Sequence, residues 1–367
     1  MVARAVPPVD RGGIQTHVLE LATALTDLGV EVVAYLFKAD YPRDLPFEVV
    51  GVPYASLPSL TTVQYVSASL AAGLLVKRRD YDVVHGQSMY GWGAALAGAR
   101  PFVLTCHGTQ LNEYRMTRDR TFDPNHLATD YMSFRMERWA ARHSDVVIAD
   151  CSDNARDVQG QYGLSASRVV TVPLGVGLER FRIARPEGPV VLFVGRIHHR
   201  KGLDHLVRAM PGVLSRVPGA TLLVAGRGER EREVRALVRE LGLERSVELL
   251  GHVPDDELPS LYARASVLAM PSLYEGFGLV MLEAMASAVP VVAFRTGAVA
   301  DLVRDGETGY VADPSTLAER LSRLLERPQE AAAMGRRARE LVMAEYTPRR
   351  MAERTLEAYH RAIAMRP

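Results

Sequence analysis

Two glutamates eight positions apart are the side chains best suited by type and spacing to do chemistry in this chain. Glu283 stands among hydrocarbon side chains in a segment whose pattern predicts a short helix from Gly278 onward, and Glu275 lies on the glycine-rich turn before it. A carboxylate there needs a fixed partner, because burying an unpaired charge is costly and favours protonation. Amides at a helix start attract phosphate. The segment predicts a nucleotide-sugar site, although spacing alone leaves open a core helix in which Glu283 pairs with an arginine.

A loop that follows the apolar strand ending at Val194 carries two cations, Arg196 and Lys201. A guanidinium can bind a phosphate through two hydrogen bonds, and an ammonium adds a compact charge beside it. Together they can hold a diphosphate and neutralise the charge that develops on it as a sugar leaves. Ligand sites of α/β sheets form at the carboxyl ends of strands. The loop therefore predicts a diphosphate site rather than a solvated surface.

Two further segments place polar groups after predicted strands. Gly12 and Gly13 lie between the first strand and a helical pattern over residues 14–28, and His107 follows a strand that ends at Cys106. The glycine amides could meet a phosphate or a sugar, but a tight turn would use the same glycines. A lone histidine is more often structural than catalytic. The residues alone leave both alternatives open.

The segment from Glu275 to Glu283 resembles the E-x7-E motif of the retaining, GT-B-fold glycosyltransferases of family 4, and the likeness extends over nearly the whole chain. The resemblance implies transfer of a sugar from a nucleotide-diphosphate sugar to a hydroxyl acceptor, with retention of the anomeric configuration and without a metal. Several collinear motifs are far more specific than any one glycine pair. They are Gly12-Gly13-Ile14, His107-Gly108-Thr109, Gly195-Arg196 with Lys201-Gly202, Gly226-Arg227-Gly228 and Asp305-Gly306-Glu307-Thr308-Gly309.

The resemblance also assigns roles to the matched residues. Arg196 and Lys201 would contact the donor diphosphate, Gly13 the donor phosphate and sugar, and His107 the transferred sugar. Glu283 would accept hydrogen bonds from the ribose, and Glu275 from sugar hydroxyls near the reacting carbon. We therefore expect a catalytic set of His107, Glu275, Arg196 and Lys201, no metal ligands, and a donor-binding set of Gly12, Gly13, Arg196, Lys201, Val253, Glu275, Gly276, Phe277, Gly278, Leu279 and Glu283.

Three segments depart from the family pattern. The interdomain Asn-Gly-Val-Asp appears as Leu174-Gly175-Val176-Gly177, and the later Gly-Gly-x-x-Glu as Gly297-Ala298-Val299-Ala300-Asp301. These changes bear on closure geometry and donor-sugar preference rather than on catalysis. His85-Gly86-Gln87 lacks a second histidine that many relatives carry. Where relatives bind acceptors, residues 113–123 mix basic and acidic side chains, which favours a solvated loop over an anionic-acceptor site.

Short β-branched runs alternate with helical patterns along the chain, which is typical of parallel sheets built from βαβ units. Runs at 30–36, 82–85, 102–106 and 146–149 predict a first sheet, and runs at 190–194, 221–225, 247–250, 266–270 and 289–293 a second. Residues 172–189 are the expected hinge. We predict an α/β, GT-B architecture of two doubly wound Rossmann-like domains facing across a cleft. Residues 1–178 form the acceptor-side domain, residues 179–346 the nucleotide-sugar-binding domain, and a helix at about 347–367 packs back on the first.

Composition limits the function classes. The 367 residues fit two domains, and a net charge of +1 gives no electrostatic case for nucleic acid. Cys106 and Cys151 have no metal-binding spacing, and the first residues lack an apolar signal core, so we expect a cytoplasmic protein without structural zinc. The apolar run at 63–76 is too short to span a bilayer. We favour a packed helix there over one on a membrane surface, and no feature indicates an oligomeric state.

Two other functions share this architecture. A nucleotide-sugar epimerase would need additional acid and base groups around the sugar, and a two-domain sugar-binding protein would normally carry an export signal. Neither pattern occurs in the sequence. We therefore expect a glycosyltransferase that requires no cofactor and uses a nucleotide-diphosphate sugar, a UDP- or GDP-sugar first of all, as its donor.

Overall fold

The computed structural model describes residues 1–7, 12–37, 41, 44–55, 61–118 and 124–365. Its internal contacts divide the chain into two compact units, one formed by Met1–Gly175 with Pro348–Pro367 and the other by Val176–Thr347. The boundary in the structure falls within the hinge segment expected from the sequence, three residues before the predicted position.

The first unit is built on a seven-stranded parallel sheet with strand order β3-β2-β1-β4-β5-β6-β7. The order reverses between β1 and β4, and a ligand crevice is expected at this switch point, outside the carboxyl ends of the strands. Strands β3 and β7 form the two edges of the sheet, and they were not predicted because their β-branched runs are only two or three residues long. The strands are β1 (Val2–Ala3), β2 (Val33–Leu36), β3 (Glu48–Gly51), β4 (Val84–Gln87), β5 (Phe102–Cys106), β6 (Val146–Ala149) and β7 (Val169–Thr171).

Helices cover both faces of this sheet, and the C-terminal helix belongs to this unit. Its apolar side, including Met351, Ala358 and Ala362, joins Val18 and Leu25 of the first helix in one core cluster. The helices are α1 (Gly13–Asp27), α2 (Thr61–Val76), α3 (Trp92–Leu96), α4 (Gln110–Arg118), α5 (Pro124–His143), α6 (Ser152–Tyr162) and, at the C-terminus, α14 (Pro348–Ala364).

The apolar run at 63–76 forms most of α2, which packs closely on α3. A Cβ on Gly73 would lie 2.2 Å from the carbonyl oxygen of Gly93, and a Cβ on Gly93 would lie 1.6 Å from that of Ser69. Only glycine allows the two backbones to approach so closely. Among the described residues, no helix is both long enough and apolar enough to cross a membrane.

The second unit has a six-stranded parallel sheet of order β10-β9-β8-β11-β12-β13, with its switch point between β8 and β11. Its strands are β8 (Val190–Val194), β9 (Thr221–Ala225), β10 (Val247–Gly251), β11 (Val267–Met270), β12 (Val291–Phe294) and β13 (Gly309–Ala312). Its helices are α7 (Leu203–Arg216), α8 (Glu231–Glu240), α9 (Leu258–Arg264), α10 (Leu279–Ala286), α11 (Val299–Leu302), α12 (Leu317–Glu326) and α13 (Pro328–Glu345). The five strands predicted here are all present, and the sequence analysis missed β13.

Candidate active site

Two loops meet at the switch point of the second sheet, one following β8 and the other following β11. The backbone N–H of Leu273 donates to the carbonyl oxygen of Arg200 at 2.7 Å. Gly202 has a φ of +63°, and a Cβ on it would lie 2.0 Å from the carbonyl oxygen of Pro271. The backbone contacts thus bring the loop with Lys201 against the loop with Glu275.

Lys201 and Glu275 form an ion pair between these loops. The Nζ of Lys201 donates to Oε2 of Glu275, and the two side chains are only 14% and 11% exposed. The hydroxyl of Ser272 lies 3.5 Å from the same oxygen. Burial raises the pKa of Glu275, but the charges of Lys201 and Arg200 and the hydrogen bonds from Lys201 and Ser272 together outweigh it, so the pKa lies below its usual value. Glu275 is therefore a fixed carboxylate at the point where a ligand is expected.

Thr296 and Gly297 contact the backbone of Glu275. Gly297 begins the segment 297–301, which is one of the departures from the family pattern. The backbone N–H of Glu275 donates to Oγ1 of Thr296 at 3.3 Å. Gly297 has a φ of +53°, and a Cβ there would lie 2.3 Å from the carbonyl oxygen of Glu275 and 2.6 Å from that of Gly276. The first glycine of the segment is thus required for the turn to keep its position.

Replacing Gly297 by alanine should displace that turn and reduce kcat by about 100-fold, since a shift of about 1 Å in a catalytic group can cost that much. Gly306 is the matched control, because its φ is +78° but a Cβ would meet nothing within 4 Å. Both variants strain a backbone of positive φ, and Gly306→Ala should show only that effect, a loss of about 1 kcal/mol in the free energy of unfolding. Steady-state kinetics and thermal unfolding of both variants test this. Equal loss of kcat in the two variants would contradict the role of the contact with Glu275.

Glu283 lies in α10, and its hydrogen-bond partner is a tyrosine. The hydroxyl of Tyr262, a fully buried residue, donates to Oε2 of Glu283 at 2.6 Å. Burial raises the pKa of Glu283, and the hydrogen bond from Tyr262 and the charge of Arg180 only partly oppose it. The charge of Arg180 acts on Glu283, but within the described residues no arginine forms an ion pair with it. Its Oε1 accepts no hydrogen bond there.

The turn before α10 presents backbone groups, as the motif predicts. Gly278 adopts a left-handed conformation with a φ of 89°, and no side chain caps the helix that begins at Leu279. Phe277 is buried, whereas Gly276, Gly278 and Leu279 are partly exposed. The amide groups at this helix start thus lie beside Glu275, in the arrangement that binds anions.

The glycines of Gly226-Arg227-Gly228 allow the loops after β8 and β9 to touch. A Cβ on Gly226 would lie 1.9 Å from the carbonyl oxygen of Gly195, and one on Gly228 would lie 2.2 Å from that of Ile197. Close packing of the two loops therefore requires both glycines of this motif, whether or not the motif also binds the base. Val253 lies partly buried in the loop after β10.

Arg196 is the one exposed member of the predicted diphosphate pair. Its side chain makes no hydrogen bond or ion pair with any other described residue, whereas Lys201 is occupied by Glu275. The Cε of Lys201 lies 3.8 Å from the position of a Cβ on Gly195, so the lysine runs along the backbone next to Arg196. Of the two cations in this loop, Lys201 is paired with Glu275, whereas Arg196 has no side-chain partner among the described residues.

In the first unit, His107 lies at the carboxyl end of β5 and is 5% exposed in its side chain. Its Nε2 lies 2.8 Å from Oε1 of Gln87, and because this oxygen can only accept, Nε2–H is the donor. Its Nδ1 lies 3.6 Å from Oδ2 of Asp150. Gln87, which stands where many relatives carry a second histidine, thus fixes the orientation of the His107 ring.

A buried hydrogen-bond chain continues from Gln87 to the C-terminal helix. Nε2 of Gln87 lies 3.4 Å from Nε2 of His85, which is also 2.7 Å from the hydroxyl of Thr105. Nδ1 of His85 lies 2.8 Å from the hydroxyl of Tyr359 in α14. Burial, with the charges of the N-terminal amine and His107, lowers the pKa of His85 to about 3. Neutral His85 therefore accepts at Nε2 and donates from Nδ1.

A buried carboxyl group lies beneath the turn that begins with His107. Oε1 of Glu137 accepts from the backbone N–H of Gln110 at 3.1 Å and from the hydroxyl of Tyr162. Burial raises the pKa of Glu137 to about 7, and the hydrogen bonds only partly oppose this. Glu137 therefore anchors the start of α4, three residues after His107.

The remaining predicted residues lie around the same edge of the first sheet or outside the described residues. Gly12 and Gly13 are exposed at the start of α1, which no side chain caps. Arg115 is exposed on α4. The prediction of a loop is wrong for residues 113–118, which belong to α4, because the helix that starts at Gln110 continues to Arg118. The side chain of Arg118 and all of Arg120 lie outside the described residues.

Sequence reasoning assigned no partner role to the residues that hold the predicted ones in place, because most of these contacts join residues that are distant in sequence. Their signal is weak but readable: several are polar residues next to strand ends or within apolar segments. They are Gln87, Asp150, Glu137, Tyr262, Thr296 and Ser272. In the described part of the chain, no three His, Cys, Asp or Glu side chains are grouped as ligands for a metal ion.

Models of two glycosyltransferase families match consecutive parts of the chain. The model for glycosyltransferase family 4 matches residues 11–180, and the model for glycosyl transferases group 1 matches residues 178–341. A D-inositol 3-phosphate glycosyltransferase of Nocardia farcinica is 30% identical over an alignment that covers 96% of this chain and 86% of the relative.

Two solved structures have the same fold. A sucrose-phosphate synthase of Thermosynechococcus elongatus superimposes with a TM-score of 0.80 at 22% identity, covering 100% of this chain and 96% of that one. HepE of Anabaena in complex with UDP-glucose gives a TM-score of 0.76 at 20% identity, covering 97% and 98%. These superpositions confirm the GT-B fold class. With motifs, family models and relatives in agreement, the chain belongs to the group 1 glycosyltransferases of family 4.

Proposed function

We propose that this glycosyltransferase moves a sugar from a nucleotide-diphosphate sugar to a hydroxyl acceptor, with retention of the anomeric configuration and without a metal ion. One observation carries the proposal: the ionised Glu275, paired with Lys201, lies at the switch point of the second sheet beside the uncapped start of α10. Cation, carboxylate and helix amides are the groups that a sugar diphosphate requires.

Different residues of the second unit bind different parts of the donor. Arg196 and the amides at the start of α10 bind the diphosphate, and Lys201 adds its charge as the sugar leaves. Glu275 accepts hydrogen bonds from the sugar hydroxyls. The free Oε1 of Glu283 accepts from the ribose, while Tyr262 holds the other oxygen. The base binds near Val253.

The transfer step breaks the bond between the anomeric carbon and the diphosphate oxygen and forms one between that carbon and the acceptor oxygen. The acceptor hydroxyl gives its proton to the departing diphosphate oxygen on the same face of the sugar. The protein therefore needs no base of its own at this step. Charge stabilisation by Arg196, Lys201 and the helix amides takes the place that a metal ion holds in other transferases.

A UDP-sugar is the donor we propose to test first, followed by GDP-sugars. HepE, which shares the fold, binds UDP-glucose. For the acceptor we propose a small polyhydroxylated molecule, because the Nocardia farcinica relative is named for inositol 3-phosphate.

Activity should persist in EDTA, and the first product should keep the anomeric configuration of the donor. The experiment incubates the protein with a panel of UDP- and GDP-sugars, with and without chelator, and follows donor hydrolysis and transfer. NMR of the first product reports its anomeric centre. An inverted centre, or activity lost in EDTA and restored by a divalent metal, would contradict the proposed mechanism, and no turnover with any donor would contradict the function.

A further inference from the structure

His17 is buried in the first unit, and its ring has no hydrogen-bond partner among the residues that the structure describes. It lies in the second turn of α1 and is 5% exposed, and neither Nδ1 nor Nε2 forms a hydrogen bond within the described part of the chain. Buried polar side chains in proteins are nearly always paired, and an exception calls for an explanation such as a functional role or a bound water. The other buried imidazole nearby, His85, has both ring nitrogens bonded.

The position of His17 points to a ligand rather than to a packing defect. Its ring meets the ring of His107 edge to face, with the centroids 4.6 Å apart. Side chains on a helix lean towards its N-terminus, so the imidazole of His17 lies over the turn that begins at Gly13. Helix α1 follows β1, and His107 follows β5, so both rings lie at the carboxyl edge of the sheet. The switch point between β1 and β4 is at this same edge.

The charge state of His17 limits what it can bind. Burial, followed by the charges of His107 and His85, lowers the pKa of His17 well below its ordinary value, so the ring is neutral. A neutral imidazole offers one N–H donor and one acceptor nitrogen. A phosphate would favour a cation, whereas a hydroxyl both donates and accepts. A hydroxyl group therefore matches this ring, since it can accept from the N–H and donate to the other nitrogen.

We propose that His17 is a substrate-binding residue, whose imidazole forms a hydrogen bond with a sugar-type hydroxyl held next to His107. The inference rests on the proposed function and extends it to a residue outside the motifs described above. The hydroxyl belongs either to the transferred sugar or to the acceptor, and the two sources share this chemistry.

The test replaces His17 by phenylalanine, which keeps a ring but loses both polar atoms. Because no described residue forms a hydrogen bond with the His17 ring, His17→Phe should unfold at the same temperature as the wild type or higher, yet lose about tenfold or more in kcat/KM, as expected for one lost hydrogen bond. His17→Leu is a second apolar variant in case the phenylalanine ring is too large. His17→Gln, which restores a donor and an acceptor, should recover part of the lost kcat/KM.

His85→Phe is the matched control for removing a buried imidazole. It leaves the hydroxyls of Thr105 and Tyr359 without their partner, so it should lower the unfolding temperature. The two substitutions are chemically identical, and only the one at a paired histidine should destabilise the protein. This contrast separates an unpaired binding group from a structural one.

Two assays distinguish the source of the hydroxyl. If it belongs to the transferred sugar, His17→Phe slows hydrolysis of the nucleotide sugar in the absence of acceptor and weakens its binding, while binding of the bare nucleoside diphosphate is unchanged. If it belongs to the acceptor, hydrolysis is unchanged and the KM for the acceptor rises. Either result supports the proposal.

Three results would overturn it. An active wild type with an equally active His17→Phe would remove the binding role and leave the proposed function standing. A lower unfolding temperature with unchanged kinetics would show that His17 binds an internal water. A wild type without hydrolysis or transfer on any nucleotide sugar would instead refute the proposed function, and this inference with it.

Discussion

Replacing Lys201 by methionine should reduce kcat by two to three orders of magnitude, about 3–4 kcal/mol of transition-state stabilisation, and should also destabilise the fold. The methionine fills the space of the lysine stem but leaves Glu275 without the ammonium that now pairs with it. Breaking a largely buried ion pair from one side costs about 3–5 kcal/mol at most, and the partial exposure of both side chains reduces that figure. Kinetics and urea unfolding measure the two effects separately.

Arg196→Met is the matched comparison. Arg196 is exposed and makes no hydrogen bond or ion pair with any described residue, so its loss should reduce diphosphate binding and kcat without changing the free energy of unfolding. Both cations belong to the same loop, so comparing the two variants distinguishes the effect of a charge on catalysis from its effect on the free energy of unfolding. Wild-type rates and donor affinity in both variants would show that the diphosphate site is misplaced.

The pH dependence of stability gives a further check on the Lys201 variant. The charge of Lys201 keeps the pKa of Glu275 below its usual value against the opposing effect of burial. A lowered pKa means that the native state favours the carboxylate, so this stabilisation is present at neutral pH and is lost as the pH falls through the native pKa. The difference in unfolding free energy between wild type and Lys201→Met should therefore shrink at acidic pH. A difference that stays constant from neutral to acidic pH would contradict the ion pair.

The sequence predicted the strands and helix of this site better than the contacts between its side chains. Strand periodicity and glycine-rich turns located β8, β11 and α10, because hydrophobic patterns and backbone constraints are local. Lys201 and Glu275 were both predicted, yet as contacts to different parts of the donor. Their pairing depends on β8 and β11 being neighbours at the switch point, and the separation of the two residues in sequence gives no sign of this.

Tyr262 illustrates the same limit. In the sequence it is one apolar position of a short helical pattern, and nothing marks its hydroxyl as the partner of a glutamate two elements later. Gln87 was noted only as the absence of a histidine, whereas the structure shows it bonded to His107. Partners of this kind become visible only when strand order and helix packing are known, since each contact joins a motif residue to a residue elsewhere in the chain.

Substitutions of Glu283 and Glu275 should have different effects on nucleotide binding, because the two glutamates bind different parts of the donor. Glu283→Ala should weaken binding of the bare nucleoside diphosphate as well as of the nucleotide sugar by about 10- to 100-fold, because the ribose is common to both and its hydrogen bonds to a carboxylate are charge-assisted. Tyr262→Phe, which keeps the packing on Phe181 but removes the hydrogen bond to Glu283, should produce a smaller loss of the same kind.

Glu275→Gln should behave in the opposite way towards the bare nucleotide. The substitution removes the charge that occupies Lys201, so the ammonium becomes available to the diphosphate, and affinity for the nucleoside diphosphate should stay the same or rise. Transfer should fall by about 100-fold or more, because the fixed carboxylate beside the reacting sugar is lost. Calorimetry with the nucleoside diphosphate, combined with transfer rates, decides between the two roles. Equal losses of nucleotide affinity in Glu275→Gln and Glu283→Ala would refute the division, since a ribose contact and a sugar contact cannot respond alike to a ligand that has no transferred sugar.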